Sequence, residues 1–201
     1  MPNWKSVYRF YARLCWWNAW EKVLDEINRR HRVQQGRNPY SSYVIIDSQS
    51  VKSVSGRDQR GFDGEKKVEG RKRHIGVDME GHLLHVEVTA VNTLDTIMGG
   101  YVIESVITKH PTVEAASADA GYRGNTIHYA EIRLDTLVHI STNIRDTFAV
   151  LPKRWIVERT FAWFNIERRL AKDYDVNPLH SENLIRIAML KKTLAWLCSI
   201  S

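Results

Sequence analysis

The stretch Tyr43-Val44-Ile45-Ile46-Asp47-Ser48-Gln49-Ser50-Val51-Lys52 constrains the chain most, because a β-branched run suited to a buried strand delivers a carboxylate at its polar end. A carboxylate beside four apolar or aromatic residues carries a desolvation cost, so Asp47 neutralises unless a cation meets it. Taken alone, the run also reads as a strand closing in an Asx turn. The rest of the chain weighs against that simpler reading. A second aspartate, Asp119, ends another small-residue strand candidate that starts at Ala115, and Glu158 lies inside an aromatic-rich helix from Arg154 to Arg169.

At 201 residues the chain fits one domain, or one with a small appendage. Lys and Arg number 29 against 23 Asp and Glu, a formal charge of +6 that permits a nucleic-acid partner without establishing one. Cys15 and Cys198 stand near opposite ends, with no CxxC pair and no Cys-His zinc spacing, as expected for a reducing cytosol. The apolar patch Leu14-Cys15-Trp16-Trp17 is too short, and too closely flanked by Arg13 and Glu21, to be a signal or membrane segment.

In chain order, Trp4 to Arg30 reads as one or two helices, finishing in the basic cluster Arg29-Arg30-His31-Arg32. Gln34 to Ser42 reads as a linker, which puts a domain boundary between residues 1–33 and 43–201. Ser53 to Gly70 is polar and glycine-punctuated and is expected to form a mobile loop leading into Arg71-Lys72-Arg73-His74, a basic run suited to phosphate contacts. His74 to Asp78 and Leu83 to Thr89 form a hairpin, whose histidines 74, 82 and 85 read as surface or core residues rather than as ligands. A helix follows, with Asp95 or Thr96 as cap and Pro111 as stop. Then come a strand at Val113 to Ala118, a turn at Asp119 to Gly124, a helix at Thr126 to Arg133, a strand at Leu137 to Ser141 and a loop from Asn143 to Pro152. This order predicts a mixed α/β sheet with helices on its faces.

The helix from Arg154 carries apolar residues on several sides and is expected to be buried nearly all round, crossed by a polar stripe of Arg154, Glu158, Asn165 and Arg169. Asp47, Asp119 and Glu158 are then three carboxylates with the same unsolved charge. Ligands of α/β sheets collect at the carboxyl ends of strands, where both aspartates fall. A pair of divalent ions ~3.5–4 Å apart resolves the charge problem and suits phosphoryl transfer on DNA.

Four segments in order resemble the bacterial DDE transposases of the insertion-sequence-five family: Asp47 to Lys52, Gly70 to His74, Asp119 to Gly124, and Leu151-Pro152-Lys153-Arg154-Trp155-Ile156-Val157-Glu158-Arg159-Thr160-Phe161-Ala162-Trp163. The resemblance spans nearly the whole chain, from Asn3-Trp4-Lys5-Ser6-Val7-Tyr8-Arg9-Phe10 to the last helix. It implies a ribonuclease-H-like catalytic domain over residues 43–201, with Asp47, Asp119 and Glu158 as catalytic metal ligands for two Mg2+ ions, Mn2+ being a substitute. Arg154 matches an arginine that orients phosphate or carboxylate. Two positions depart from related families, where a tyrosine and a lysine stand in place of Leu151 and Asn165; Arg159, Arg168 and Arg169 are the candidates to supply the missing cation.

The implied activity is cleavage at element ends and strand transfer into target DNA, by a homodimer or higher oligomer on DNA in the bacterial cytoplasm, associated with the nucleoid. The expected DNA contacts are Lys52, Lys66, Lys67, Arg71, Lys72, Arg73, Arg123, Arg154, Arg159 and Arg169. The family commonly carries a further amino-terminal segment, so the chain is expected to be a truncated copy whose residues 1–33 are part of a DNA-binding region. A metal-dependent nuclease without strand transfer and a non-catalytic DNA-binding regulator are the alternatives.

Overall fold

The computed structural model describes residues 2–141 and 154–199, so the loop expected at 143–152 and the departure at position 151 lie outside the described residues. Strand β1 (Tyr43–Lys52) is central to the sheet. On one side it pairs antiparallel with β3 (Val68–Val77), and on the other it runs parallel to β5 (Ala115–Ala118), which pairs parallel with β6 (Leu137–Ile140). The far edge of β3 is shared. Residues 71–77 pair with β4 (Leu83–Ala90), and residues 68–70 pair with the short β2 (Gly61–Asp63). The result is the expected ribonuclease-H-like mixed sheet with helices on its faces.

The apolar run of β1 explains the layering. Because side chains alternate across a strand, Val44 and Ile46 enter one core while Ile45 enters the other, and each of the three is 2% exposed or less. The Val44–Ile46 face is covered by α3 (Asp95–Lys109) and α4 (Asn125–Arg133), through residues such as Val102, Val106 and Ala130. The Ile45 face is covered by α2 (Ala19–Gln34), α5 (Arg154–Ile166) and α6 (Pro178–Cys198), through Leu24, Ile156, Phe164, Ile185 and Met189. A strand buried on both faces needs a continuous apolar run rather than alternation, which is what residues 43–46 supply.

The amino-terminal stretch forms two helices, α1 (Trp4–Trp16) and α2, divided at Asn18 in a left-handed conformation with φ 51°. Buried Asn28 ties α2 inward: its Nδ2 donates to Leu83 O at 3.1 Å, and its Oδ1 accepts from Thr193 Oγ1 at 3.1 Å. The basic end of α2 divides. Arg29 and Arg30 pair with Glu26 at the surface, whereas His31 and Arg32 are buried. Arg32 Nη1 donates to Asp78 Oδ2 at 2.5 Å, His82 Nδ1 meets the same oxygen at 2.9 Å, and His82 Nε2 meets His31 Nδ1 at 2.8 Å.

Two expectations need correction. Residues 68–73 are not a loop: they belong to β3, with neighbours on both edges, and the pleat carries Arg71 and Arg73 inward, each 0% exposed. Lys72 turns to the other face and is 6% exposed. The basic run therefore lies within the sheet rather than over a phosphate backbone. Helix α5 is also two-sided rather than buried all round. Ile156, Val157, Thr160, Phe161 and Phe164 face the core, while Trp155, Glu158, Asn165 and Ile166 are exposed. It ends at Ile166, so Arg169 leaves the expected polar stripe and meets Asp175 and the Tyr174 ring instead.

Arg71 holds together segments distant in sequence. Its Nε and Nη2 donate to Asp58 O at 2.9 and 2.5 Å, and Nη2 also reaches Val176 O at 2.5 Å. Its Nη1 donates to Asp173 Oδ2 at 3.2 Å and Asp175 O at 3.0 Å, while Ser181 Oγ donates to the same Asp173 oxygen at 2.7 Å. Removing a buried cation leaves its partners unpaired, which costs more than the pair contributes in net terms. Arg71→Met is expected to lower unfolding free energy by about 3–5 kcal/mol in urea titrations. The same titration returning a loss under about 1 kcal/mol would show that Arg71 is not the fastener of this region.

Candidate active site

The parallel pairing of β1 with β5 positions two carboxylates together. The last paired residues are Ile45 and Ser117, and Asp47 and Asp119 each lie two residues beyond them: Asp119 just past the end of β5, and Asp47 within β1, which continues along β3 to Lys52 instead of ending at the carboxylate as expected. Burial raises Asp47 to a pKa of about 7, and the neighbouring Asp119 charge adds to the rise. Main-chain donors fix both groups: Ser48 N–H donates to Asp47 Oδ1 at 2.7 Å, and Gly121 N–H donates to Asp119 Oδ1 at 2.8 Å. The second bond arises because Asp119 caps the single 3-10 turn Ala120–Tyr122.

Tyr122 lies in the core on the Val44–Ile46 face and is 2% exposed. Burial pushes its phenol well above the ordinary range, with Asp47 and Asp95 acting in the same direction. Gly99 permits this packing, since a Cβ there would stand 2.5 Å from Tyr122 Cδ1 and 2.6 Å from Thr126 Oγ1.

Helix α5 brings the third carboxylate through its first residue. Arg154 Nε donates to Glu158 Oε1 at 2.9 Å, the one-turn spacing of a helix pair, and Arg154 Nη2 lies 3.9 Å from Asp119 Oδ2. Asp47 and Asp119 thus adjoin directly, whereas Glu158, its side chain 57% exposed, reaches Asp119 through a guanidinium. Among the described residues no three His, Cys, Asp or Glu side chains stand close enough to hold a metal ion.

The expected DNA contacts separate by location. Lys52, Lys66, Lys67 and Arg123 are exposed. Arg154 is engaged as described. Arg159 is sandwiched by the Trp155 and Trp163 rings, at 4.4 and 4.8 Å, and donates to Glu80 O at 2.9 Å. Arg71 and Arg73 are corrected to interior residues. Nη1 of Arg73 reaches Gln49 Oε1 at 3.4 Å, its Nε and Nη2 find no acceptor among the described residues, and burial draws its pKa down to about 10. Lys72 is corrected likewise, its Nζ donating to Thr93 O at 2.8 Å and pairing with Asp95. Asp95, expected with Thr96 as a helix cap, is instead the first residue of α3, with Leu94 at the cap position, and Tyr122 carries no such local signal. A residue at a helix start carries the same local signal whether or not a tertiary partner meets it.

A family model described as "Transposase DDE domain" matches residues 41–190, three quarters of the chain. The chain belongs to this transposase family. That places the domain among the nucleotidyl-transfer enzymes of DNA transposition. No curated protein matches it. Among solved structures it is similar to the catalytic core domain of BIV integrase, at 12% identity over 72% of this chain and 82% of that one, with a TM-score of 0.43. It is also similar to the catalytic domain of Mos1 mariner transposase, at 10% identity over 90% and 93%, with a TM-score of 0.42. Among the described residues no helix of the transposase domain is long and apolar enough to cross a membrane.

The raised pKa of Asp47 makes the stability of the metal-free transposase domain pH-dependent. An acid near 3.8 when unfolded and about 7 when folded holds its proton more tightly in the native state, so its contribution is present below pH 4 and lost as pH rises through 7. Asp47→Asn should therefore stabilise the metal-free protein at pH 8 by on the order of 1–3 kcal/mol, with the difference closing toward pH 4. Asp25 and Glu182, also raised to about 7, are common to both proteins and drop out of the comparison. Paired urea midpoints at pH 4.5 and 8 measure the effect, and a difference equal at both values contradicts it.

Proposed function

We propose that this domain is a transposase of the insertion-sequence-five kind, which cuts DNA at element ends with water and directs the freed 3′-hydroxyl into target DNA. The observation that carries the reading is the placement of Asp47 and Asp119 at equivalent positions just beyond the parallel pairing of β1 with β5, with Arg154 joining the second aspartate to Glu158. The donor set fits hard divalent cations. It offers carboxylate oxygens only, and burial and mutual repulsion have left Asp47 poised to exchange a proton for a metal.

Asp47 and Asp119, joined by Glu158 once its side chain turns from Arg154, would hold two magnesium ions, or manganese in their place. When bound, such ions activate the attacking oxygen and stabilise the leaving one. The chain's own groups do the positioning. Ser48 N–H and Gly121 N–H fix the aspartates, and Arg154 at the amino end of α5 offers a fork of donors to a phosphate. Exposed Lys52, Lys66, Lys67 and Arg123 are proposed to contact backbone phosphates. The cations Lys5, Arg9 and Arg13 of α1, a helix with no acidic residue, support a DNA-contacting role for residues 1–33. The enzyme would act in the cytoplasm as a homodimer or larger assembly on DNA.

Incubation with a duplex carrying an element end, a target duplex and Mg2+ tests the reading. Cleaved end joined to target is expected, and Asp47→Ala, Asp119→Ala or Glu158→Ala should each abolish both steps while leaving DNA affinity within about threefold. Cleavage with no joined product would make the domain a nuclease, and binding with no cleavage a regulator.

The surface cations yield a separate expectation. Affinity should fall with salt by about 0.9 log units per log unit for each phosphate contact, and neutralising Lys52, Lys66, Lys67 and Arg123 together should flatten that slope. An unaltered slope would mark them as solvated surface.

A further inference from the structure

Lys72, Asp95 and Ser48 form a connected set of polar contacts on the opposite face of the sheet from Asp47. Asp95, the first residue of α3, accepts from Ser48 Oγ at 2.8 Å and pairs with Lys72 Nζ at 3.2 Å. The Nζ of Lys72 donates onward to Thr93 O at 2.8 Å, in the turn that leads into α3. His74 Nδ1 stands 3.7 Å from the same Asp95 oxygen, and the Lys72 and His74 side chains are only 8% and 1% exposed.

A lysine gains nothing from such enclosure unless its charge is met, so the site is built around Asp95. The amino end of α3 adds favourable potential for the same carboxylate. Ser48 connects the two faces of the sheet, its hydroxyl committed to Asp95 and its main-chain N–H committed to Asp47 Oδ1 at 2.7 Å.

We propose that Lys72, Asp95 and Ser48 are positioning residues that hold the Asp47 carboxylate in the orientation needed to take up a divalent cation. The inference rests on the reading of Asp47 as a metal ligand given above. Lys72 thereby acquires a role within the site instead of on a phosphate. A carboxylate ligand restrained by its own hydrogen bonds loses less freedom when it binds metal, and removing such supporting partners typically weakens metal affinity 10–100-fold.

A solely structural pair would behave differently. It would tie α3 to the sheet and lower stability when broken, but the folded protein would bind metal as before. The test is a titration of the full chain with Mn2+ alone, following free Mn2+ by electron paramagnetic resonance, with circular dichroism confirming that each variant is folded. Ser48→Ala and Asp95→Ala are expected to raise the Mn2+ dissociation constant by about tenfold. Ser48→Thr, which restores the hydroxyl on a residue suited to a strand, is expected to stay within about twofold of the wild type. Should Asp95→Ala fail to fold, Ser48→Ala decides, since it removes one hydroxyl and leaves the Lys72–Asp95 pair intact. Wild-type Mn2+ affinity in Ser48→Ala, with binding lost in Asp47→Asn, would overturn the inference and leave the proposed function standing. Unchanged binding in Asp47→Asn itself would overturn the reading of Asp47 as a ligand, and the inference with it.

Discussion

The structure depends on β1 being buried on both faces over residues 44–46 while carrying a carboxylate at the next position. Ile45 anchors the core beneath α2, α5 and α6, and Val44 and Ile46 anchor the core beneath α3 and α4. With both faces committed, a one-residue slip of this strand would exchange the two cores and turn Asp47 to the wrong side, so its register is strongly specified. Pairing with β5 then brings Asp119 level with Asp47, and the site inherits its geometry from the packing of the sheet. Because burial and the neighbouring Asp119 charge act together on Asp47, its raised pKa is an intrinsic property of the fold.

Strand β3 buries three cations, each assigned differently by the pleat. Arg71 binds carbonyls of segments 58 and 175–176 together with Asp173, Lys72 meets Asp95 across the sheet, and Arg73 lies next to Gln49. A similar enclosure holds at the end of α2, where Arg32 and His31 enter a network with Asp78 and His82. Interior charges that are fully partnered fasten elements whose apolar contacts alone would tolerate more than one arrangement. Arg73 is the least satisfied of them, which accords with its lowered pKa.

Much of this was legible in the chain itself. The strand start at residues 43–46, the hairpin, the alternation of helix and strand through residue 140 and the three carboxylates at 47, 119 and 158 all follow from local chemistry, because burial period and turn residues are written along the backbone, whereas the continuation of β1 past Asp47 to Lys52 comes from its pairing with β3. The basic run at 71–73 was misread for a reason equally physical. Charge signals exposure only statistically, and a one-dimensional reading cannot see that Asp173 lies a hundred residues away waiting to pair with Arg71. The short β2 escaped notice because three residues hold no period.

Sequence by itself determined which residues could carry the chemistry and which strands would deliver them: a carboxylate after a β-branched run, another after a small-residue strand, and a glutamate one helical turn beyond an arginine. Only the tertiary structure decided how they meet. It set Asp47 and Asp119 side by side through parallel pairing, joined Glu158 to Asp119 through Arg154, and took Lys72 from an apparent surface run to lie against Asp95. Distances between charges, and hence their energies, depend on contacts tens of residues apart in the chain. Local propensity has no access to those contacts, whereas the assembled sheet fixes them all at once.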